Sequence, residues 1–345
     1  MRARLFSLLF AGFVAAASAE VSAGQAYLPM GQARGIAVVD TQRDAVVGHL
    51  PGVPSGHGLA LSPDGGLLVA ASLAAGATME AGEPEHAAHH GGKAAARESG
   101  GGGVVTLIRA ATGAVVARIA IPGPSHHVAI TPDGRYAVAT LMRDGGVAVI
   151  DLRERRLARV VPTGVAPNYA VPAADSRTVY VSNSGSATVS VVDVVTGRVR
   201  DSVTVDAGPE HMVLSGDGER LYVNAAGAGA VTVVALPEGR VVRSLETGRD
   251  PHGIALGRSG RRLFVALTGE DRLLAIDLRD GSRTSRVLAP MPYHLARVPG
   301  NGRLYVSSRG ESRVWVVDGR DLGVSASIQT SAVVHQMAMS AEAGQ

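Results

Sequence analysis

Short runs of alternating apolar and polar residues recur along almost the whole chain, separated by turns rich in Pro, Asp and Gly. A typical unit, PSHHVAITPDGRYAVATL, joins an apolar run, a turn and a second apolar run. Alternation over four to eight residues predicts a half-buried strand, and such a turn between two strands predicts a hairpin. The unit occurs six times, beginning at Pro54, Pro124, Ala166, Gly208, Asp250 and Met291.

Each hairpin is followed by a third run such as VAVID, a turn such as VVTGR and a fourth run. Four short strands in about 42 residues are typical of one propeller blade. Three runs near 26–29, 35–40 and 45–50 lack a first strand, which 333–340 supplies. Joining them removes an open sheet edge, which soluble β proteins avoid. The sequence therefore predicts an all-β, seven-bladed propeller of four-stranded antiparallel blades, closed by N-terminal strands pairing with the C-terminal strand.

The first residues have the pattern of a secretory signal. Two arginines precede an apolar run from Leu5 to Ala17, and Ala17-Ser18-Ala19 resembles a cleavage site. The run is shorter than the roughly 20 apolar residues that a membrane span requires. We therefore expect a signal peptide at 1–19 and a propeller domain at 20–345 in the periplasm or medium, without a membrane span.

Composition narrows the chemistry. The chain has no cysteine, which excludes disulfides, thiolate metal sites and covalent c-type haem. Lys and Arg total 33 against 30 acidic residues, for a net charge of +3. Nucleic-acid binding requires a concentrated basic face, so this balance argues against such a partner. Any metal must be held by His, carboxylate or Met.

Counting back from each hairpin turn gives one polar position at the start of every innermost strand. These positions are 42 residues apart from His126 to His294, and the last step is 41. Because innermost strands line the channel of a propeller, we expect seven side chains to point towards its axis at one mouth. The predicted ring consists of His57, His126, Asn168, Glu210, His252, His294 and His335.

Three blades have a polar or aromatic residue one place later: His127, Tyr169 and His211. Strand alternation predicts that these side chains turn away from the channel into the sheet. A shift of one residue in its strand would instead put His211 in the place of Glu210.

An insertion lengthens the first blade. The interval from His57 to His126 is 69 residues, which is one repeat plus about 27 residues. The inserted segment, about 73–102, carries His86, His89 and His90, and strand direction places it over the same mouth. Its Gly, Ala and His content is also typical of a disordered loop.

Histidine at this density favours a transition metal, copper or zinc, with Glu210 as an oxygen ligand. Alternatively, each ring histidine hydrogen-bonds a connecting loop, a structural role that a repeat copies without any ligand. Arg143 and Arg309 follow second strands near the same mouth and either pair with a ligand carboxylate or stay solvated. The candidate metal ligands are His57, His126, His127, Glu210, His211, His252, His294 and His335, with His86, His89 and His90 of the insertion.

The recurring P-x-G-I-A-x-S-P-D-G-x-x-x-Y-V followed by V-x-V-I-D-x-x-T-G resembles the YVTN-repeat propellers, related to the propeller that binds d1-type haem. The resemblance covers essentially the whole mature chain and implies the fold more strongly than a function. It implies d1-type haem as an alternative cofactor, with a ring histidine on the iron and the two arginines on carboxylates. Nitrous oxide reductase is similar in placing histidine-bound copper at such a mouth, but its cupredoxin domain is absent here.

Four functions therefore stay open. The first is a metal-binding protein with a metal ion or small ligand at the channel mouth, and the second is a haem-binding or redox accessory protein. The third is a lactonase or lyase, which would need a metal or a histidine base. The fourth is a protein-interaction scaffold with structural histidines. We expect a monomer that works with a periplasmic protein partner, and we favour binding over catalysis.

Overall fold

The computed structural model describes residues 24–341 except residues 32, 34, 52–55 and 73–101. The signal sequence predicted at 1–19 and the three histidines of the insertion lie outside the described residues. Within them, 28 strands form seven four-stranded antiparallel sheets. The helical content of the same residues is one 3-10 turn, Thr268–Glu270. The all-β, seven-bladed prediction is confirmed.

The strands follow one another at the spacing that the repeat predicts. In chain order they are β1 Gln25–Met30, β2 Gly35–Asp40, β3 Ala45–Pro51, β4 Gly56–Leu61, β5 Leu67–Ser72, β6 Gly103–Arg109, β7 Val115–Ile121, β8 Val128–Ile130, β9 Tyr136–Leu141, β10 Gly146–Asp151, β11 Arg156–Pro162, β12 Pro167–Pro172, β13 Thr178–Asn183 and β14 Thr188–Asp193. The second half contains β15 Arg198–Thr204, β16 Pro209–Leu214, β17 Arg220–Ala225, β18 Ala230–Ala235, β19 Arg240–Glu246, β20 Pro251–Leu256, β21 Arg262–Leu267, β22 Arg272–Asp277, β23 Arg283–Val287, β24 Pro292–Arg297, β25 Arg303–Ser308, β26 Arg313–Asp318, β27 Val324–Gln329 and β28 Ala338–Met339.

Six blades are consecutive in the chain, from β4–β7 (blade 1) to β24–β27 (blade 6). The innermost strands of these blades are β4, β8, β12, β16, β20 and β24. Blade 7 has the order β28-β1-β2-β3, so the C-terminal strand pairs with the N-terminal one. The predicted closure is therefore confirmed, with an innermost strand of only two residues.

The core lies between neighbouring blades. Val138 and Val149 of blade 2 pack against Val179 and Val181 of blade 3, and all four are fully buried. β-branched side chains suit this position because they fill the space on both faces of a pleated, twisted sheet. The outermost strands are exposed, as in β15, where six of the seven residues face solvent.

A β-bulge marks the start of most innermost strands. In blade 5, Pro251 pairs with Leu267 but Ile254 pairs with Val265, which leaves two residues on one strand opposite one on the other. The same shift occurs in β4, β12, β16 and β24. A bulge interrupts the ladder and re-aims the side chains beside it. The predicted ring positions of these five blades fall within the bulges.

Candidate functional site

Strand pairing defines two successive rings of residues, one from each position of the bulge. The outer ring holds the first bulge residue of each blade: His57, His126, Asn168, Glu210, His252, Tyr293 and His335. The inner ring holds the residue that follows it along each strand: Gly58, His127, Tyr169, His211, Gly253, His294 and Gln336.

His294 belongs to the inner ring, so its assignment beside His252 was wrong by one position. Pro251 pairs with Leu267 and Pro292 with Ser308, which makes Tyr293 the equivalent of His252. The step between these blades is thus 41 residues. The missing residue lies in blade 5, whose outermost pair β22–β23 has no bulge, whereas the outermost pair of each other blade has one.

The inner-ring side chains also point into the channel, contrary to the alternation argument. His127 Nε2 lies 3.2 Å from His211 Nε2, although these residues come from blades 2 and 4. Tyr169, from the blade between them, stacks on His211 with ring centroids 4.4 Å apart. Simple alternation assumes an unbroken ladder, and the bulge breaks it at this position.

The histidine cluster is buried rather than open at the rim. We use this name for seven histidines that are each 1–4% exposed: His57, His126, His127, His211, His252, His294 and His335. Unpaired buried polar groups are costly, so each ring nitrogen needs a partner or a ligand. The arrangement of those nitrogens therefore decides what the cluster can do.

Three inner-ring histidines form the most compact group, which we call the inner triad: His127, His211 and His294. One ring nitrogen from each lies within 4.8 Å of the others. His127 Nδ1 is 2.9 Å from the carbonyl oxygen of Asn168, so Nδ1 carries the proton and donates to it. This tautomer leaves a lone pair on Nε2, which faces His211. His294 Nε2 is buried and has no hydrogen-bond partner among the described residues.

Two further triads combine two outer-ring histidines with one inner-ring histidine. They are His57 with His126 and His127, and His57 with His294 and His335. The His57 ring is sandwiched between His126 at 4.2 Å and His335 at 4.1 Å, centroid to centroid. His57 Nδ1 donates to the carbonyl oxygen of His126 at 3.0 Å, which makes Nε2 the ring nitrogen that can bind a metal ion.

The cluster holds its histidines neutral. Burial, followed by the charges of neighbouring histidines, lowers the pKa well below the ordinary value of 6.5 for His57, His127, His211 and His294. Desolvation disfavours imidazolium, and several imidazolium groups together would repel one another. Neutral imidazole is the form that ligates metals.

Glu210 has a different partner from the one that the sequence suggested. Its Oε2 lies 2.7 Å from His252 Nδ1, and both side chains are buried. His252 in turn stacks on Tyr293 at 4.0 Å with an interplanar angle of 11°. Glu210 thus orients His252 within the outer ring, which is the usual role of a carboxylate behind a metal-binding imidazole.

The two arginines occupy different environments. The Arg309 guanidinium lies 5.4 Å from the centre of the Tyr293 ring, in cation-π contact at the edge of the outer ring. Arg143 is exposed in the turn between β9 and β10. Of the two arginines proposed for a cofactor carboxylate, Arg309 is the one that contacts a ring residue within the described part of the chain.

Sequence reasoning missed Tyr293 and Gln336. The Gln336 side chain accepts hydrogen bonds from the backbone N–H groups of Leu59 and Val128 at 3.3 and 3.2 Å, and donates to the Val128 carbonyl at 3.0 Å. It therefore links the C-terminal segment to blades 1 and 2. Aligning Pro292 with Pro251 at a 41-residue step would have found Tyr293, whereas the C-terminal segment has no proline by which to locate Gln336.

Part of the chain matches a known family in sequence, and the whole fold is similar to solved structures. Residues 107–261, somewhat less than half of the chain, match the model of the YNCE-like beta-propeller family. No curated protein matches the chain in sequence. Dihydro-heme d1 dehydrogenase NirN, solved in complex with DHE, is similar to this chain with a TM-score of 0.66 at 16% identity, over 91% of this chain and 66% of that one. The chain is a seven-bladed β-propeller.

Two other solved propellers are similar to this one. The periplasmic gluconolactonase PpgL of Pseudomonas aeruginosa has a TM-score of 0.70 at 17% identity, over 91% of this chain and 98% of that one. Hydrazine synthase of Kuenenia stuttgartiensis has a TM-score of 0.62 at 21% identity, over 76% of each chain. At such identities the likeness concerns the fold alone, because propellers host many unrelated activities. In the described part of this propeller, no helix is long and apolar enough to cross a membrane.

Proposed function

We propose that this propeller binds one transition metal ion, copper or zinc, through His127, His211 and His294. The observation that carries the proposal is the 3.2 Å separation of His127 Nε2 and His211 Nε2. Two nitrogens bound tetrahedrally at about 2.0–2.1 Å from one zinc ion lie about 3.3–3.4 Å apart. The inner triad is therefore close to coordination geometry without rearrangement of its backbone.

The third ligand and the electrostatics support the same proposal. His294 Nε2 is buried without a hydrogen-bond partner among the described residues, and one ring nitrogen of His294 lies within 4.8 Å of a nitrogen of each of the other two histidines. The three rings are neutral at physiological pH because burial lowers the pKa of each. A divalent cation bound to these three nitrogens would compensate for the burial of their polar atoms.

The test is metal content by elemental analysis, on protein purified without an affinity tag and on the variant His211→Ala. We expect about one ion per wild-type chain and loss of most of it in the variant. His49→Ala is the matched control, because His49 is exposed on β3, away from the cluster. Full retention of metal in His211→Ala would rule out the inner triad as the site.

Haem is the second candidate, since NirN is similar in fold and was solved in complex with DHE. In this reading a histidine of the cluster ligates the iron. Arg309, already in contact with Tyr293, would turn to a carboxylate of the macrocycle. Reconstitution with d1-type haem distinguishes the two candidates: a haem spectrum abolished by His211→Ala favours the cofactor, and its absence together with stoichiometric copper or zinc favours the metal ion.

We further propose that the chain works as a monomeric binding protein after export to the periplasm, with 1–19 removed. The neighbour PpgL is described as periplasmic. Metal delivery to a periplasmic protein partner is the role that suits a binding site without an assigned reaction. Analysis of the mature N-terminus of protein isolated from periplasm tests the location, and a retained leader would contradict it.

A further inference from the structure

The proposed metal site raises a question of access. All seven histidines of the cluster are 1–4% exposed, and a hydrated cation cannot cross a packed wall of side chains. The inner triad is also one residue further from the start of each innermost strand than the outer ring. A metal that enters from the side of the outer ring must therefore pass that ring before it reaches His211.

The three triads of the cluster are linked in a particular way. Each pair of triads has one histidine in common: His57, His127 or His294. Hydrogen bonds to backbone carbonyls occupy Nδ1 of His57 and of His127, so Nε2 is the nitrogen of each ring that can bind a metal, and each ring serves one ion at a time. Neighbouring triads are thus alternatives for a single ion rather than independent sites.

The triad of His57, His294 and His335 lies where the ring of blades is least securely closed. β28 has two residues, whereas the innermost strands β12, β16, β20 and β24 have six each. His335 lies outside any strand, and its backbone N–H is 3.5 Å from the Pro29 carbonyl, at the limit of a hydrogen bond. Local opening is most frequent where few backbone bonds must break.

In the C-terminal segment, hydrogen bonds of the Gln336 side chain take the place of the missing strand pairing. Gln336 makes three side-chain hydrogen bonds to Leu59 and Val128, and its backbone N–H donates to the His57 carbonyl at 3.3 Å. These bonds attach the C-terminal segment to the blades that supply His57 and His127. Releasing Gln336 would move His335 with it, because the two residues are adjacent.

We propose that the C-terminal segment 331–341 is the access route of the metal, and that His57, His294 and His335 form its first binding station. The ion then passes to the inner triad by ligand exchange while His294 stays bound: His57 and His335 leave, and His127 and His211 replace them. No redox step is involved, and the number of nitrogen ligands is three at both stations. This inference rests on the proposed function and adds the route to it.

The experiment measures the rate of Zn²⁺ uptake by the full-length, metal-free protein, using a metallochromic indicator in a stopped-flow instrument, together with the final stoichiometry. We expect His335→Asn to slow uptake by about tenfold or more, since one of three ligands is lost from the first station, while one ion still binds. We expect Gln336→Ala to accelerate uptake by at least about tenfold because three hydrogen bonds no longer hold the segment.

Comparison variants separate this route from the alternatives. His126→Asn removes a ligand of the alternative triad formed by blades 1 and 2. His49→Asn, at an exposed histidine outside the cluster, is the control and should leave the uptake rate within about twofold of wild type. Slow uptake in His126→Asn with normal uptake in His335→Asn would overturn the proposal in favour of a route past blade 2. Equal rates in all variants, with one ion bound, would overturn the route and leave the proposed function standing. Failure of wild-type protein to bind Zn²⁺ or copper would overturn both.

Hydrogen exchange gives a readout that does not depend on mutation. The Ser340 amide donates to the Gln25 carbonyl at 2.8 Å, and we expect it to exchange faster than the paired amides of β20 in metal-free protein. Saturating Zn²⁺ should slow this exchange by about tenfold or more, if the bound ion keeps the segment closed. Exchange that is as slow as in β20 without metal would contradict an opening segment.

Discussion

At the scale of single residues, the hydrogen bond made by one ring nitrogen of an imidazole determines whether the other nitrogen can bind a metal. His127 donates through Nδ1 to Asn168, and His57 does so to the carbonyl of His126. These bonds fix the tautomer and direct Nε2 into the channel. Thr140 strengthens the frame, because its hydroxyl accepts from the His127 N–H at 3.0 Å and donates to the Asn168 carbonyl at 3.0 Å. The structural and metal-binding roles of these histidines are therefore compatible.

The neutral cluster makes stability depend on pH. Burial lowers the pKa of His57, His127, His211 and His294 below 6.5, so the unfolded chain takes up protons that the folded chain does not. The free energy of unfolding is thus highest, as far as these histidines determine it, above about pH 6.5, and it falls as the pH decreases below that value. Each such histidine contributes up to about 1.4 kcal/mol per pH unit.

Urea denaturation of the metal-free protein at pH 7.5, 6.0 and 5.0 measures this dependence. We expect the midpoint to fall steadily at the lower values. The variant His127→Asn should show a shallower slope, because one of the neutral groups is gone. A pH-independent midpoint would mean that the cluster is already charged or solvated in the folded protein.

At the scale of secondary-structure elements, the bulge at the start of most innermost strands creates the site. The repeat of the sequence predicted the blades, their four strands and the closure, because these follow from local alternation and turn residues. It did not predict which side chains face the channel. That depends on the pairing register of Pro251 and Pro292, and register is a property of two strands rather than of one local pattern.

The same limit explains His294. A constant period of 42 residues placed it in the outer ring, whereas β23 is five residues long and β15 is seven. One residue removed from an exposed outermost strand leaves the core intact but shifts the numbering of the next blade. The site as a histidine cluster was thus predictable, but its division into two rings was not.

Gly253 tests how closely the innermost strands of blades 5 and 6 approach. A Cβ atom at this position would lie 2.3 Å from the Tyr293 carbonyl oxygen and 2.8 Å from the Leu295 nitrogen. We expect Gly253→Ala to cost about 1–3 kcal/mol, as overpacking does, and to weaken metal binding by displacing His294. Thermal denaturation and zinc titration measure the two effects.

Gly216→Ala is the matched control, because a Cβ at that turn position meets no atom within 4 Å. It should leave both the stability and the zinc affinity unchanged within error. Equal behaviour of the two variants would mean that the inner ring tolerates backbone movement and that its geometry is not a constraint on binding.

At the scale of the whole molecule, the ring of blades is closed by non-covalent contacts between the two ends of the chain. Ala26 and Tyr27 of β1 pair with Met339 and Ala338, and the Gln25 N–H donates to Ser340 Oγ at 2.8 Å. The closing segment also carries His335 of the cluster. Closure and the proposed metal site therefore depend on the same few residues, so a defect in one should appear in the other.

Deleting residues 331–345 tests this dependence. The deletion would expose the N–H and C=O groups of β1 that face β28, and an unpaired, largely apolar edge promotes association between chains. We expect the shortened protein to form oligomers in size-exclusion chromatography with light scattering, and to unfold at lower temperature than the full chain. Gln336→Ala keeps the strand and loses only its side-chain bonds, so it should stay monomeric. If the deleted protein is a monomer of unchanged thermal stability, the C-terminal segment cannot be what closes the ring, and the dependence of the metal site on closure fails with it.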